Sequence, residues 1–188
     1  MKLHLVMLLS ALVAAPGTVA LADASNMQVF TSSGSFTVPS GVTRIEVEVR
    51  GGGGGGGGGG ISSGRDRVFG ASGGGGGYGM GVFTVSAGTV FSVTVGAGGR
   101  GSETNGTAGG TSSFGTLISA TGGGGGGSST GAVGGTSTAP LNMRGFKGHF
   151  SGSYNTVNEG GACGDGSSRG SGGTGGGAGA AGNVVVRW

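Results

Sequence analysis

The residues of this chain that could take part in acid–base or nucleophilic chemistry are few and scattered. The sequence has two histidines, seven acidic residues and one cysteine among 188 residues. Glu46 and Glu48 are two positions apart, a spacing that puts both carboxylates on one face of a strand, and paired carboxylates are the groups that hydrolyse glycosides. Arg44 and Arg50 flank them, so a solvated strand face is the better interpretation. We therefore predict no catalytic residues and no enzyme activity.

Metal and cofactor sites are not indicated by the remaining polar residues. His149 has no neighbouring cluster of metal-binding side chains, and Cys163 has no second cysteine with which to pair. The glycine runs match the dinucleotide-binding pattern trivially, but no helix follows to offer its N-terminus to a phosphate. The ten basic residues are scattered rather than clustered. We predict no metal, no cofactor and no nucleic-acid partner.

Side chains suited to binding are concentrated in two segments between the glycine runs, a short one at residues 65–69 and a longer one at residues 136–158. Residues 136–158 contain three glycines, and aromatic and basic residues alternate there. Loops displayed by a scaffold have this composition, and Arg, Tyr and Phe are frequent anchors of binding surfaces. The alternative is that Phe146, Phe150 and Tyr154 cap the end of the hydrophobic core. Taken from both segments, the candidate binding residues are Arg65, Arg67, Phe69, Arg144, Phe146, Lys147, His149, Phe150 and Tyr154.

The N-terminus has the pattern of a secretory signal peptide. Lys2 precedes an apolar stretch from Leu5 to Val13, and Ala20-Leu21-Ala22 fits the pattern of small residues before a cleavage site. We predict that residues 1–22 are a signal peptide, that residues 23–188 form a single glycine-rich β domain, and that no membrane span remains after cleavage. The predicted location is extracellular or on the cell surface, with the periplasm as the alternative.

Alternating apolar residues between the glycine runs predict short β-strands. From Arg44 to Arg50, three branched apolar side chains face one way and the charged ones face the other. No segment after residue 22 has the 3.6-residue period of a helix. The chain is therefore predicted to be all-β, a small β-sandwich of short strands. The other predicted strands are Phe36–Val38, Met80–Val85, Thr89–Val95, Phe114–Ala120 and Val184–Trp188.

Glycine makes up 55 of the 188 residues, with unbroken runs at 51–60, 73–77 and 122–127. Over 64–79 and 161–182, glycine also recurs at nearly every third position, which is the period of a polyproline-II-type helix. Several such helices side by side can share backbone hydrogen bonds, whereas isolated runs would be flexible linkers. We predict polyglycine-II-type helices or glycine-rich loops attached to the sandwich.

The order of these pieces resembles the glycine-rich domain of bacterial and phage proteins. The resemblance rests on residues 36–51, on Tyr78-Gly79 and the strand from Thr89 to Gly99, on Thr111 to Gly115, and on the terminal Asn183-Val184-Val185-Val186. Related domains in phage tail-fibre proteins and tip adhesins imply bundled polyglycine-II helices whose variable loops contact host surface receptors. This chain differs from them in its signal peptide, so the resemblance implies a surface-exposed binding or matrix role.

Together these features predict an exported, non-enzymatic protein whose glycine-rich scaffold displays loops for adhesion to a cell-surface glycan or protein. A self-associating subunit of an extracellular filament or matrix is the alternative, because abundant glycine and low charge allow chains to pack closely. Ice binding ranks below both, since the sequence has no regular array of threonines.

Overall fold

The computed structural model describes residues 26–61, 67–68, 70–127, 131–148 and 176–188. In these ranges every regular element is a β-strand, which confirms the all-β prediction. None of these ranges holds a helix whose length and hydropathy would suit a membrane crossing. In chain order the strands are β1 (Met27–Phe30), β2 (Gly34–Thr37), β3 (Arg44–Arg50), β4 (Gly60–Ile61), β5 (Arg67–Val68), β6 (Tyr78–Thr84), β7 (Val90–Thr94), β8 (Ser112–Phe114), β9 (Ile118–Ala120), β10 (Leu141–Met143) and β11 (Asn183–Arg187).

Two antiparallel sheets form a small β-sandwich. The first sheet has five strands in the order β1-β11-β3-β6-β10, and the second has four in the order β2-β7-β8-β9. In the middle of the first sheet, Val47 of β3 lies opposite Val186 of β11 and Gly81 of β6. β4 and β5 form a separate two-stranded pair that follows the first glycine run.

The hydrophobic core lies between the two sheets. β3 contributes Ile45, Val47 and Val49, as the alternation predicted, and each is at most 1% exposed. Phe36 of β2 and Phe114 of β8 pack against each other with 5.8 Å between their ring centroids. Burial of each such side chain stabilises the fold by about 1.5–3 kcal/mol.

Two parts of the strand prediction need correction. Residues 114–120, predicted as one strand, contain the end of β8 and all of β9, which pair with each other. Gly115 takes a φ of +50° in the turn between them, a left-handed conformation that glycine adopts readily because it has no Cβ. β1, β4, β5 and β10 were not predicted, since each has four residues or fewer and an alternation alone cannot reveal a strand so short.

The glycine runs pack beside one another in an ordered array. Residues 51–58, here called the central tract, are all glycine and all buried, although they belong to no strand. The central tract continues β3 directly, and neighbouring segments lead into or out of the other strands. These surrounding tracts, which with the central tract make up the glycine array, are residues 70–77, 96–102, 104–110, 121–127 and 176–182.

Successive residues of the central tract donate their N–H groups to three different neighbouring tracts in turn, so every third residue donates to the same tract. Its N–H groups donate to carbonyl oxygens over N···O distances of 2.8–3.1 Å. Its carbonyl groups accept hydrogen bonds from 96–102 and 121–127. All eight N–H groups of the tract, and four of its carbonyl groups, are thus bonded to described neighbours on several sides, without an α-helix or a β-sheet. By donor position, Gly51, Gly54 and Gly57 donate to 70–77, Gly52, Gly55 and Gly58 donate to 104–110, and Gly53 and Gly56 donate to 176–182.

The closeness of these tracts excludes side chains from the centre of the array. A Cβ built on Gly54 would overlap the carbonyl oxygen of Gly124, and a Cβ on Gly55 would overlap that of Arg100. The tracts are neither α-helices nor β-strands, so among the described residues they are the glycine-rich segments predicted to be attached to the sandwich. The burial of the central tract and the hydrogen bonds between the tracts differ from the exposed, unbonded backbone expected of flexible linkers.

Candidate binding surface

The described part of the candidate segment at 136–158 is residues 136–148, and its candidate residues Arg144, Phe146 and Lys147 follow β10. Gly145 donates its N–H to the carbonyl oxygen of Gly135 at 2.8 Å. The carbonyl oxygen of Phe146, in turn, accepts the N–H of Gly75 at 2.9 Å. The backbone of the segment is therefore bonded to Gly135 on one side and to the 70–77 tract of the glycine array on the other.

Glycine spacing directs the side chains of this segment outward. A Cβ on Gly145 would overlap the carbonyl oxygen of Gly75, so this position must be glycine. The residues around it, Arg144, Phe146 and Lys147, are all exposed. Phe146 is 55% exposed and lies outside the hydrophobic core, so the alternative in which it caps the core is wrong for this residue.

The electrostatics of the segment leave its cations available. Neither Arg144 nor Lys147 forms an ion pair with a carboxylate of the described ranges. An exposed guanidinium, an ammonium and a phenyl ring within four residues can offer charge-assisted hydrogen bonds and an apolar stacking surface. The segment is chemically suited to noncovalent contact with a partner that is acidic or rich in hydroxyl groups.

For the other candidate residues, the structure describes the backbone of Arg67 alone. Arg67 is described through its backbone, which lies in β5 opposite Ile61 of β4. The structure thus brings Arg144, Phe146 and Lys147 together on one segment. The candidates that lie outside the described residues are Arg65, Phe69, His149, Phe150 and Tyr154.

A cluster of charged side chains lies on the outer face of the first sheet. Arg187 of β11 donates a hydrogen bond to Glu46 at 2.7 Å and another to Glu48 of the same strand, β3. Arg50 donates to the second carboxylate oxygen of Glu48 at 3.2 Å. The hydrogen bond that Arg187 donates to Glu48 is the largest cause of a pKa of Arg187 above its ordinary value.

The surroundings of Glu48 correct the predicted solvated strand face. Glu48 is 8% exposed, and both of its carboxylate oxygens accept from arginines. Both glutamates of the cluster are therefore paired with arginines. Sequence reasoning found both glutamates but missed Arg187, which is 139 residues away from Glu48. Only the register of β11 against β3 reveals this partner.

A metal-binding site among the other described residues would require a cluster of His, Cys or acidic side chains. No three His, Cys, Asp or Glu side chains in the described ranges come together as metal ligands would. His149 and Cys163 lie outside those ranges. The surface that can be assigned a chemistry from its geometry is the exposed segment at Arg144, Phe146 and Lys147.

Comparison with known proteins gives one informative result. No curated protein matches this chain as a relative. The glycine-rich domain family matches residues 31–184, a range that holds the central tract, its five surrounding tracts and the second sheet. Because this match covers most of the sequence, the chain belongs to the glycine-rich domain family.

Proposed function

We propose that this chain is an exported, non-enzymatic protein whose glycine array displays side chains for adhesion to a cell-surface glycan or protein. The observation that carries the proposal is the segment at 144–147. Its backbone is bonded to Gly135 through Gly145 and to the glycine array through Phe146, while its charged and aromatic side chains face solvent. A rigid backbone that presents flexible cations and a ring is the arrangement of a binding surface.

The stiffness expected of the array supports this function. All N–H groups from Gly51 to Gly58 donate to a neighbouring tract. A surface held on such a base loses little further conformational entropy when a partner binds, so more of its contact energy remains as affinity. This is the advantage that a glycine array has over a flexible loop of the same side chains.

We further infer that the tracts of the array have the polyglycine-II conformation. The threefold return of the hydrogen-bond partners supports this, because that conformation has three residues per turn. Backbone shifts and couplings measured by NMR should give φ near about −75° and ψ near about +145° over residues 51–58. Values typical of antiparallel strands, with φ near about −140°, would contradict the inference.

Export is the part of the proposal that rests on the N-terminal sequence pattern. The intact mass of the protein recovered from outside the producing cell should correspond to a chain that begins at Asp23. A recovered chain that still contains residues 1–22 would show that the segment is not a cleaved signal.

The adhesion proposal is tested by binding to immobilised cell-surface glycans and to whole cells. The variant Arg144→Ala/Phe146→Ala/Lys147→Ala should lose at least about tenfold in affinity, because it removes both cations and the ring. The control is Arg44→Ala/Val90→Ala, which removes an exposed arginine and an apolar side chain that is 62% exposed on the sandwich. If both variants bind as the wild type does, residues 144–147 are not the contact.

A further inference from the structure

β1 forms one edge of the first sheet, and nothing in its sequence protects that edge. The strand is Met27-Gln28-Val29-Phe30, with no charged residue and no proline. Met27 and Val29 are 47% and 50% exposed. Edge strands usually carry a lysine, a proline or a bulge, because an open edge is a template for pairing with another strand. β1 is therefore built as a strand that can accept a partner.

The backbone groups that would pair are identified by the existing ladder. Trp188 donates its N–H to the carbonyl oxygen of Asn26 at 2.9 Å, so these two residues are a hydrogen-bonded pair of the antiparallel ladder between β1 and β11. Such pairs alternate along the strand, so Gln28 also bonds toward β11. The N–H and C=O groups of Met27 and Val29 consequently face the free edge, where no described residue bonds to them.

We propose that β1 of one chain pairs antiparallel with β1 of a second copy of this chain, about a two-fold axis at Gln28. In this register Met27 of each copy lies opposite Val29 of the other, and each of these pairs exchanges two backbone hydrogen bonds. Apolar side chains then meet on the outer face, and the two Gln28 carboxamides meet on the inner face. Two five-stranded sheets become one sheet of ten strands, and the two-fold symmetry closes the assembly.

The chemistry of this edge favours a second copy over a foreign strand, because the edge is complementary to itself. Its side chains match apolar to apolar and amide to amide without any change of sequence. Among the described residues, the charged side chain opposite β1 in the neighbouring strand is Arg187, which lies opposite Met27 and is already paired with Glu46 and Glu48. Two copies can therefore approach without bringing unpaired like charges together.

Other edges of the two sheets are less suited to this pairing. β10, at the far edge of the first sheet, is flanked by Pro140 and Arg144, a proline and a charge of the kind that protects edges. β9, at an edge of the second sheet, is occupied by Thr138, whose N–H donates to Ser119 at 3.0 Å. β2, at its other edge, exposes a serine and a threonine instead of apolar side chains.

Sedimentation velocity of the full chain over a wide concentration range tests the proposal, independently of the proposed function. We expect a reversible monomer–dimer equilibrium, and Val29→Lys should weaken it at least about tenfold by placing a cation in the new ladder. The control Met143→Lys puts the same charge at the opposite edge, on a residue that is 53% exposed, and should leave dimerisation unchanged. A chain that stays monomeric, a Val29→Lys chain that dimerises as wild type, or open-ended growth into filaments would each overturn the proposal.

The register is tested by disulfide trapping in a Cys163→Ser background. Gln28→Cys should cross-link on oxidation, because residues opposite each other at a non-hydrogen-bonded position have Cα atoms about 4.5 Å apart. Val29→Cys is the matched control on the same strand, since Val29 lies opposite Met27 and not opposite itself. Absence of a Gln28→Cys dimer, or equal cross-linking of both variants, would exclude this register.

Discussion

Gly54 donates its N–H to the carbonyl oxygen of Gly74 at 2.8 Å, and neither residue has a side chain to keep the two backbones apart. The same closeness leaves no space on the other side, where a Cβ on Gly54 would overlap the carbonyl oxygen of Gly124. The cohesion of the array and its intolerance of side chains thus have one cause, which is the short distance between neighbouring tracts.

Gly54→Ala should strongly destabilise the protein. The added methyl must displace the tract at 121–127, which breaks hydrogen bonds on two sides of the central tract. Overpacking of this kind costs about 3 kcal/mol or more where the obstacle is backbone that cannot rotate away. Denaturant titration of the folded chain should show the loss as a lower midpoint.

Gly34→Ala is the control for this substitution. Its added methyl would make ordinary contact with the ring of Phe30 at 3.9 Å, and its φ is not in the left-handed region. The free energy of unfolding should stay the same or rise by about 0.5–1 kcal/mol, since a glycine is removed from a strand. Equal losses in Gly34→Ala and Gly54→Ala would mean that close packing is not what the array requires.

The three-residue glycine period of the sequence coincides with contacts to the central tract. In the phased stretch at 64–79, a Cβ on Gly70, Gly73 or Gly76 would overlap the carbonyl oxygens of the central tract at every third position. The two positions after Gly70 hold Ala71 and Ser72, both buried, so small side chains fit there although none fits at Gly70. The three-residue spacing is therefore a local signature of contact, in the way that a two-residue alternation is for a strand.

Features set by distant residues were not predictable from local pattern. The break between β8 and β9 depends on the left-handed turn at Gly115, and any of the 55 glycines can make such a turn. The pairing of Glu48 with Arg187 depends on strand register across most of the chain. For the binding surface, composition located Arg144, Phe146 and Lys147, but only the bonding of the backbone showed which way they face.

Amide hydrogen exchange should be slow throughout the central tract. Every N–H from Gly51 to Gly58 is buried and bonded to another tract, so exchange requires opening of the array. We expect protection close to that of Val47 in the middle of β3. Gly41, which is exposed and bonds its N–H to no described residue, is the internal reference for rapid exchange. Rates over 51–58 that match Gly41 would show that the array is not held together in solution.

Glu48→Gln should destabilise the sandwich more than Glu46→Gln does. Glu48 accepts from Arg187 and Arg50, and 11% of its side chain is exposed, whereas the Glu46 side chain is 36% exposed and accepts from Arg187 alone. We expect a loss of about 2 kcal/mol for Glu48→Gln, because a largely buried carboxylate that accepts two charge-assisted hydrogen bonds is removed, and less than about 1 kcal/mol for Glu46→Gln. The measurement is again the free energy of unfolding. A reversed order would mean that exposure does not set the strength of this cluster.

Ser112→Ala tests the junction between the sandwich and the glycine array. Ser112 begins β8 and is fully buried, and its hydroxyl oxygen accepts the N–H of Gly96, which follows β7, at 2.9 Å. Gly182, which leads into β11, donates to the carbonyl oxygen of the same Gly96 at 2.9 Å, so three strands meet at this point. Without the hydroxyl, the N–H of Gly96 is left buried and unsatisfied, at a cost of about 1–3 kcal/mol. Ser113→Ala, at the next and less buried position, should change the free energy of unfolding by less than about 0.5 kcal/mol. If the two alanine variants unfold alike, the hydroxyl of Ser112 does not hold the sandwich to the array.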